Sequence, residues 1–520
     1  MAPPLQVWSH ELSTAVASNL PEFLLTQRWY PAKDAGRPAV ELSTLIPFPV
    51  TGIPAAVALW RVTPPGLEPF LLFVPLALVA IDEADPAQVI AAPPTTDDRG
   101  RATRLVEAFS VEAFVRAWVE ALLRPDAEFS LAGGRLRTGQ TPQLSRAGLE
   151  PGGSWAIRRS SAEQSNTSIR IGDRAILKAI RKLETGIHPE LEVSRFLTGS
   201  AGFAATPALL GWTALPGAES PAEDVTLSLM QTFVPNEGDG WSWVLEHLSR
   251  DTKGPSEATS WIRQLGRRTA EMHAAFACET DDPSFRPEPV GGNDIRTWVA
   301  LAEAIAHRAF DGLAKASSLD PATQDLARTV LARRDDANTR LHELLGMRAS
   351  FKKARHHGDY HLGQVLVTRG DAVIIDFEGE PLRPLAERRA KHAALRDVAG
   401  MLRSLSYAAA AAYRGLPQDV PVDQRQAVQQ RLSAWDAKAA EAFLDAYFET
   451  ARGGDFCPKR RADADRLVRF FMLEKALYEV AYELANRPDW LAIPLRGVLS
   501  LLAPENTPPA ARAHRMPFGA

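Results

Sequence analysis

"HHGDYHLGQVLV", residues 356–367, sets three histidines, an aspartate and a glutamine into twelve positions and then turns apolar. After five more residues comes "VIIDFEGEP", residues 373–381, where Asp376 ends a second apolar run. The glycines Gly358 and Gly363 and the strand-like "VLVT" after them oppose a helix through 356–364. The i,i+4 spacing of His357 and His361 therefore does not read as a zinc pair on one helix face. A loop between short strands remains, carrying one acid, one side-chain amide and a second acid.

Phosphoryl transfer to a hydroxyl accounts for those three groups. It needs a carboxylate at the acceptor hydroxyl and oxygen ligands for a Mg²⁺ ion bridging nucleotide phosphates. Asp359 and Gln364 stand five residues apart, the spacing of the H-R-D-x-x-x-x-N loop of protein kinases, with Gln in the Asn position and His357 in the His position. Asp376 before Phe377 matches the metal-holding acid of a D-F-G element. Two acids in one cleft repel, and a divalent cation between them removes that penalty. Asp359 is thus the candidate catalytic base, and Gln364 and Asp376 are the candidate metal ligands. No G-x-x-x-x-G-K-[ST], no G-x-G-x-x-G on a strand-to-helix turn and no G-x-S-x-G occurs, so Walker-type, dinucleotide-binding and serine-hydrolase readings have no anchor.

Composition narrows the class further. The chain has 520 residues, 45% hydrophobic and 23% charged, with formal net charge -4 and no strongly basic block. That leaves room for two or three domains and opposes a general nucleic-acid binder, which needs clustered cations against phosphates. Cys278 and Cys457 are the two cysteines, far apart, so no disulfide framework is expected. The start, "MAPPLQVWSHELSTAV", carries no basic region followed by an apolar one, and "FLLFVPLALVAI" (70–81) is too short to span a bilayer and contains Pro75. A cytoplasmic protein with no membrane or nucleic-acid partner is expected, and 70–81 reads as a buried strand pair.

Along the chain, one helix is expected around 12–25, then short strands broken by Pro and Gly, with "TTDDRG" (95–100) as a boundary. A helix through 106–123 follows from the spacing of Phe109, Phe114, Trp118 and Leu122. Strands return over 155–235, interrupted by a helix at 188–199 that Pro189 opens and Gly199 stops. From Trp241 onward the chain reads as mostly helical. The fold class expected is α+β: a bilobal, protein-kinase-like fold, divided into an N-terminal β-rich cap subdomain (1–98), an intermediate and nucleotide-binding lobe (99–235), a helical lobe with the catalytic loop (236–507) and a loose tail (508–520).

A small lobe of this kind should supply a phosphate cradle and a lysine. "EQSNTS" (163–168) is a polar turn between strands, offering Gln164, Ser165, Asn166, Thr167 and Ser168. "AILKAI" places Lys178 on the next strand, and Glu192, 14 residues on, is its candidate partner for the α- and β-phosphates. "LMQTFV" (229–234) would offer adenine hydrogen bonds around Gln231, Phe233 and Val234.

"EQSNTSIRIGDRAILKAIRKLETGIHPELEVSRFL", "HGDYHLGQVL", "IIDFEGEP", "LRDVAGMLRSLSYAA", "QRWYPAK" and "EKALYEVAYELANRPDWLAIPL" together resemble the bacterial maltokinases, including the type fused to trehalose synthase. The similarity runs over essentially the whole chain. It implies an aminoglycoside phosphotransferase-like fold with an added N-terminal cap, ATP and Mg²⁺ as cofactors, and transfer of the γ-phosphate to the anomeric hydroxyl of maltose for α-glucan synthesis. Because the resemblance includes the type fused to trehalose synthase, a trehalose synthase is the candidate partner, its presence not fixed by the sequence. On this resemblance Asp359 is the base, Gln364 and Asp376 hold Mg²⁺ and Lys178 holds phosphate. "QRWY", "PAK" and "HGDY" depart from the family's more usual "QRWF", "GGK" and "HGDL", near the cap and the base, where they bear on the acceptor.

Sugars are held by charged hydrogen-bonding groups beside a flat aromatic face. Lys475, Tyr478, Glu479, Tyr482 and Glu483 recur at three- and four-residue steps on one helix. The candidate sugar residues are His361, Glu378, Lys475, Tyr478, Glu479 and Glu483; Arg28 and Trp29 read as structural. Two alternatives stand beside maltose: another sugar such as glucosamine, which an extra carboxylate placed for an ammonium would favour, and a non-catalytic pseudokinase that binds a trehalose synthase.

Overall fold

The computed structural model describes residues 8, 10–93, 95–97, 99–124, 128–131, 134–159, 165–217, 223–250, 256–381, 383–417 and 419–503. The chain forms two compact units, one of Met1–Gly199 with Pro207–Pro235, the other of Ser200–Thr206 with Asn236–Ala520.

The first unit is built on two antiparallel sheets of seven strands each. In the first sheet, the strand Ala55–Thr63 is apolar almost throughout because both of its faces are covered. Val57 and Leu59 point into one core, and Ala58, Trp60 and Val62, on the alternate positions, into another. The second of these cores is closed by the helix His10–Thr26, through Val16, Leu20 and Leu24, and by Trp29 and Tyr30. The apolar run 70–81 does form two strands, Phe70–Phe73 and Leu76–Ala80, but they do not pair with each other. Both pair with Ala55–Thr63, on either side of the break at Pro75.

The second sheet runs in the order Glu128–Leu131, Gly134–Gln140, Leu209–Leu215, Val225–Thr232, Ala175–Ala179, Thr167–Ile171, Ile157–Arg159. The helix Glu112–Leu123 buries Phe114, Trp118 and Leu122 against both sheets, and the Trp118 indole donates to Ser228 Oγ at 2.9 Å. Phe109 shares that core but not that helix. The Glu107 carboxylate accepts the Phe109 N–H at 3.2 Å and closes a separate turn, Ala108–Ser110, so the helix begins at Glu112 rather than near 106.

The second unit is helical around one short hairpin, Val365–Thr368 with Asp371–Ile374. The helix Leu395–Arg414 packs against Arg461–Asn486, which in turn packs against Gly292–Lys315. Ser256–Phe276 lies along Val422–Thr450. No helix among the described residues is long and apolar enough to cross a membrane.

Candidate active site

The loop that carries Asp359, the candidate base, is held by one face of the helix Leu395–Arg414. Asp397, Gly400 and Ser404 recur at steps of three and four, so they line up along one stripe. Asp397 accepts the backbone N–H groups of His357 at 2.8 Å and Gly358 at 3.0 Å. Ser404 Oγ accepts the N–H of Leu362 at 3.0 Å. Gly400 lets the Tyr360 carbonyl approach so closely that a Cβ there would lie 2.8 Å from its oxygen. The stripe thereby fixes both sides of Asp359. Asp397 also accepts from His273 Nε2 at 3.1 Å, and His273 Nδ1 meets the Tyr447 hydroxyl at 2.9 Å. Burial acts to raise the Asp397 pKa, yet the His273 hydrogen bond and the neighbouring histidines hold it well below the usual carboxylate range.

Within the loop, His357 Nδ1 accepts the Asp359 N–H at 3.4 Å while its Nε2 donates to the Ile375 carbonyl at 2.9 Å. One neutral tautomer satisfies both contacts. The same ring therefore ties Asp359 to the segment that carries Asp376. Gln364 Nε2 donates to Asp376 Oδ2 at 2.9 Å, which leaves the amide oxygen of Gln364 to serve as a ligand. Asp376 has φ +67°, a left-handed backbone that Asp tolerates better than most residues and that costs roughly 1–3 kcal/mol. A carboxylate oxygen of Glu378 lies within 4.8 Å of one of Asp376. Glu378, expected among the sugar residues, is thus brought to the second candidate metal acid, because Gly379 turns the chain at φ +71° directly after it.

Asp359 lies in the wall of a cavity of about 880 Å³, within the usual range for small-molecule sites. His361, Lys475, Tyr478, Glu479 and Glu483, the candidate sugar residues, line it together with Trp241, Tyr407, Tyr482 and Trp490. His361 Nε2 lies 3.9 Å from Asp359 Oδ2, and burial lowers the imidazole pKa while the nearby Asp359 acts to raise it. Spacing alone missed most of the other charges in the wall. Glu380 pairs with Arg383 at 2.7 Å, Glu474 with Arg396 at 2.8 Å, Glu479 with Arg403 at 2.7 Å and Glu483 with Arg487 at 2.7 Å. Burial raises the Glu483 pKa. At Glu380 it is overcome by Lys475, the Tyr478 hydroxyl and Arg383, which lower it.

In the first unit, Lys178 lies buried on the strand Ala175–Ala179, and its partner at 2.8 Å is Glu190. The expected partner, Glu192, is corrected by two positions. Residues two apart on a helix point roughly 200° apart, and in Pro189–Arg195 it is Glu190 that faces inward, at 1% exposure. Asn166 Oδ1 accepts the Arg181 N–H at 3.1 Å, and Thr167 Oγ1 accepts from Arg181 Nε at 2.8 Å. Ser168 stands opposite Lys178 in register, its hydroxyl buried with no hydrogen-bond partner among the described residues. Ser165 is exposed, and Gln164 lies outside the described residues. Gln231 donates to Ser194 Oγ at 3.0 Å, and the Arg170 guanidinium stacks 3.9 Å from the Phe233 ring, beside half-buried Val234.

Residues 156–380 match the phosphotransferase enzyme family. The chain is 27% identical over 401 residues to the glucosamine kinase of Streptacidiphilus jiangxiensis, covering 76% of this chain and 81% of that one. It is 26% identical over 359 residues to the glucosamine kinase of Mycolicibacterium smegmatis, covering 67% and 82%. A solved structure of a glucosamine kinase with glucosamine, ADP and inorganic phosphate superposes with TM-score 0.63 at 23% identity, over 94% of this chain and 99% of that one. A second crystal form of a glucosamine kinase gives TM-score 0.65 at 22% identity. The fold is that of the kinase-like phosphotransferases, mixing helices with antiparallel sheets, and the chain is an enzyme of that class.

Proposed function

We propose that this kinase is an ATP-dependent sugar kinase and that its acceptor is maltose, giving maltose 1-phosphate. The observation that carries the chemistry is Asp359, a carboxylate in the wall of a roomy cavity, fixed by the loop that also carries Gln364. In this reading the acceptor hydroxyl gives its proton to Asp359 as its oxygen bonds the γ-phosphorus, and the bond from that phosphorus to the bridging oxygen of ADP breaks. The donor set of Gln364, Asp376 and Glu378 is all hard oxygen, which fits Mg²⁺. A bound Mg²⁺ would neutralise charge on the transferring phosphoryl group. Lys178, kept in place by Glu190, is assigned to the nucleotide phosphates.

Charge in the cavity wall supports a neutral acceptor. Glu380, Glu474, Glu479 and Glu483 each face an arginine, and Asp397 is engaged with His273 and two backbone N–H groups. Among the described residues, each carboxylate of the wall other than Asp359 already faces a cation or N–H donors, while Tyr478, Tyr482 and Trp490 give flat faces for sugar rings. Glucosamine is the second reading, favoured by the names of the relatives. ADP release with Mg²⁺-ATP against maltose, glucosamine, glucose and trehalose separates them. Turnover with maltose supports the first reading, and turnover with glucosamine alone replaces it with the second.

A further inference from the structure

Arg181 and Glu107 are both fully buried, paired at 3.0 Å, 74 residues apart in sequence. The mechanism above uses neither. A buried ion pair is weak evidence for stability, because apolar residues of the same volume often do as well. This pair is dearer than most: Glu107 Oε2 and Arg181 Nη2 make no hydrogen bond among the described residues. What the pair does supply is geometry. Arg181 sits where the chain leaves the strand Ala175–Ala179 of the second sheet and enters Lys182–Leu183 of the first.

Among the described residues, the hydrogen bonds of Arg181 reach to both sheets. On the side of the first sheet, its carbonyl accepts the Phe73 N–H at 2.8 Å, its Nη1 donates to the Phe73 carbonyl at 3.1 Å and to Glu107, and its guanidinium lies 4.7 Å over the Trp29 ring. On the side of the second sheet, its N–H and Nε donate to Asn166 and Thr167. Those two residues lead directly to Ser168, whose buried hydroxyl has no hydrogen-bond partner among the described residues and which stands opposite Lys178.

We infer that Arg181, braced by Glu107, is a positioning residue that holds the Asn166–Ser168 segment in register with Lys178, so that the N-terminal sheet sets nucleotide affinity. The inference rests on the assignment of Lys178 and this segment to the nucleotide. It gives a task to Trp29 of "QRWY": its indole face covers the guanidinium that pins the segment.

The test uses the full-length enzyme, a fluorescent ATP analogue for equilibrium binding, and the KM values for ATP and sugar. Glu107→Gln/Arg181→Met removes both charges together and keeps the carbonyl that accepts from Phe109. Thr167→Val cuts a single hydrogen bond between Arg181 and the segment and carries the test if the double variant does not fold. Each should weaken analogue binding about fivefold or more, the scale of one hydrogen bond, while the KM for sugar stays within about twofold. Folded variants with unchanged analogue binding, alongside a Lys178→Met variant that has lost it, overturn the inference alone. Unchanged binding in Lys178→Met overturns the nucleotide assignment on which it rests.

Discussion

Replacing Asp397 by Asn tests how the catalytic loop is held. The aspartate accepts three hydrogen bonds, from the His357 and Gly358 N–H groups and from His273, while 2% exposed. Asn offers one acceptor oxygen, and its NH₂ then confronts a donor. At least one charge-assisted bond is lost, each worth about 1.5–3 kcal/mol, and a buried donor is left unmet at about 1–3 kcal/mol. A total near ~4 kcal/mol follows, equivalent to a fall of roughly 8 °C in Tm for a unit of this size. The same change frees the backbone on the N-terminal side of Asp359, so kcat should fall by about 100-fold, as expected when a reacting group is displaced by about 1 Å. Thermal melting and steady-state kinetics measure the two effects. A variant with kcat within about threefold of the parent and Tm within about 2 °C would refute the claim that this carboxylate organises the loop.

Gly400→Ala brings a methyl group to 2.8 Å from the Tyr360 carbonyl oxygen, and should cost about 1–3 kcal/mol in urea unfolding with a parallel loss of kcat. Asp376→Asn should weaken the Mg²⁺ dependence of turnover more than it changes the KM for sugar, as a titration of Mg²⁺ at fixed ATP will register. Two buried groups give pH effects of opposite sign. His356 has its pKa lowered from 6.5 to about 4 by burial, so the stability it contributes is present above about 6.5 and is lost as pH falls toward 4, by about 3 kcal/mol. Asp436 has its pKa raised from 3.8 to about 6 by burial, so its contribution is present below 3.8 and is lost as pH rises through 6, also by about 3 kcal/mol. Urea midpoints from pH 4 to 8 for His356→Phe and Asp436→Asn should lose the opposite limbs of the parent profile; identical profiles for both variants would contradict these assignments.

The parts of the site legible in sequence are those set by short-range spacing. Asp359, Gln364 and Asp376 sit on a loop and a hairpin whose apolar runs and glycines are visible directly, and the amide–acid contact at 2.9 Å follows from that hairpin. The stripe of Lys475, Tyr478, Glu479 and Glu483 emerged from helical periodicity, and it does line the cavity. Spacing could not choose between Glu190 and Glu192, because the inward face of a helix depends on how its first turn docks, not on its own sequence. Nor could it find Asp397 or Ser404, whose i,i+7 relation means nothing until that helix lies against the loop. Glu107 and Arg181 were out of reach for a similar reason: their pairing exists only through the crossing of the chain from one sheet to the other.

The most direct measurement is identification of the phosphorylated product by ³¹P NMR after incubation with Mg²⁺-ATP and maltose, run beside Asp359→Asn. The account predicts an anomeric sugar phosphate formed with equimolar ADP by the parent, and none by a folded Asp359→Asn variant that still binds nucleotide. An equal yield from the variant would contradict the assignment of Asp359 as the base, and phosphorylation of glucosamine but not maltose would contradict the acceptor.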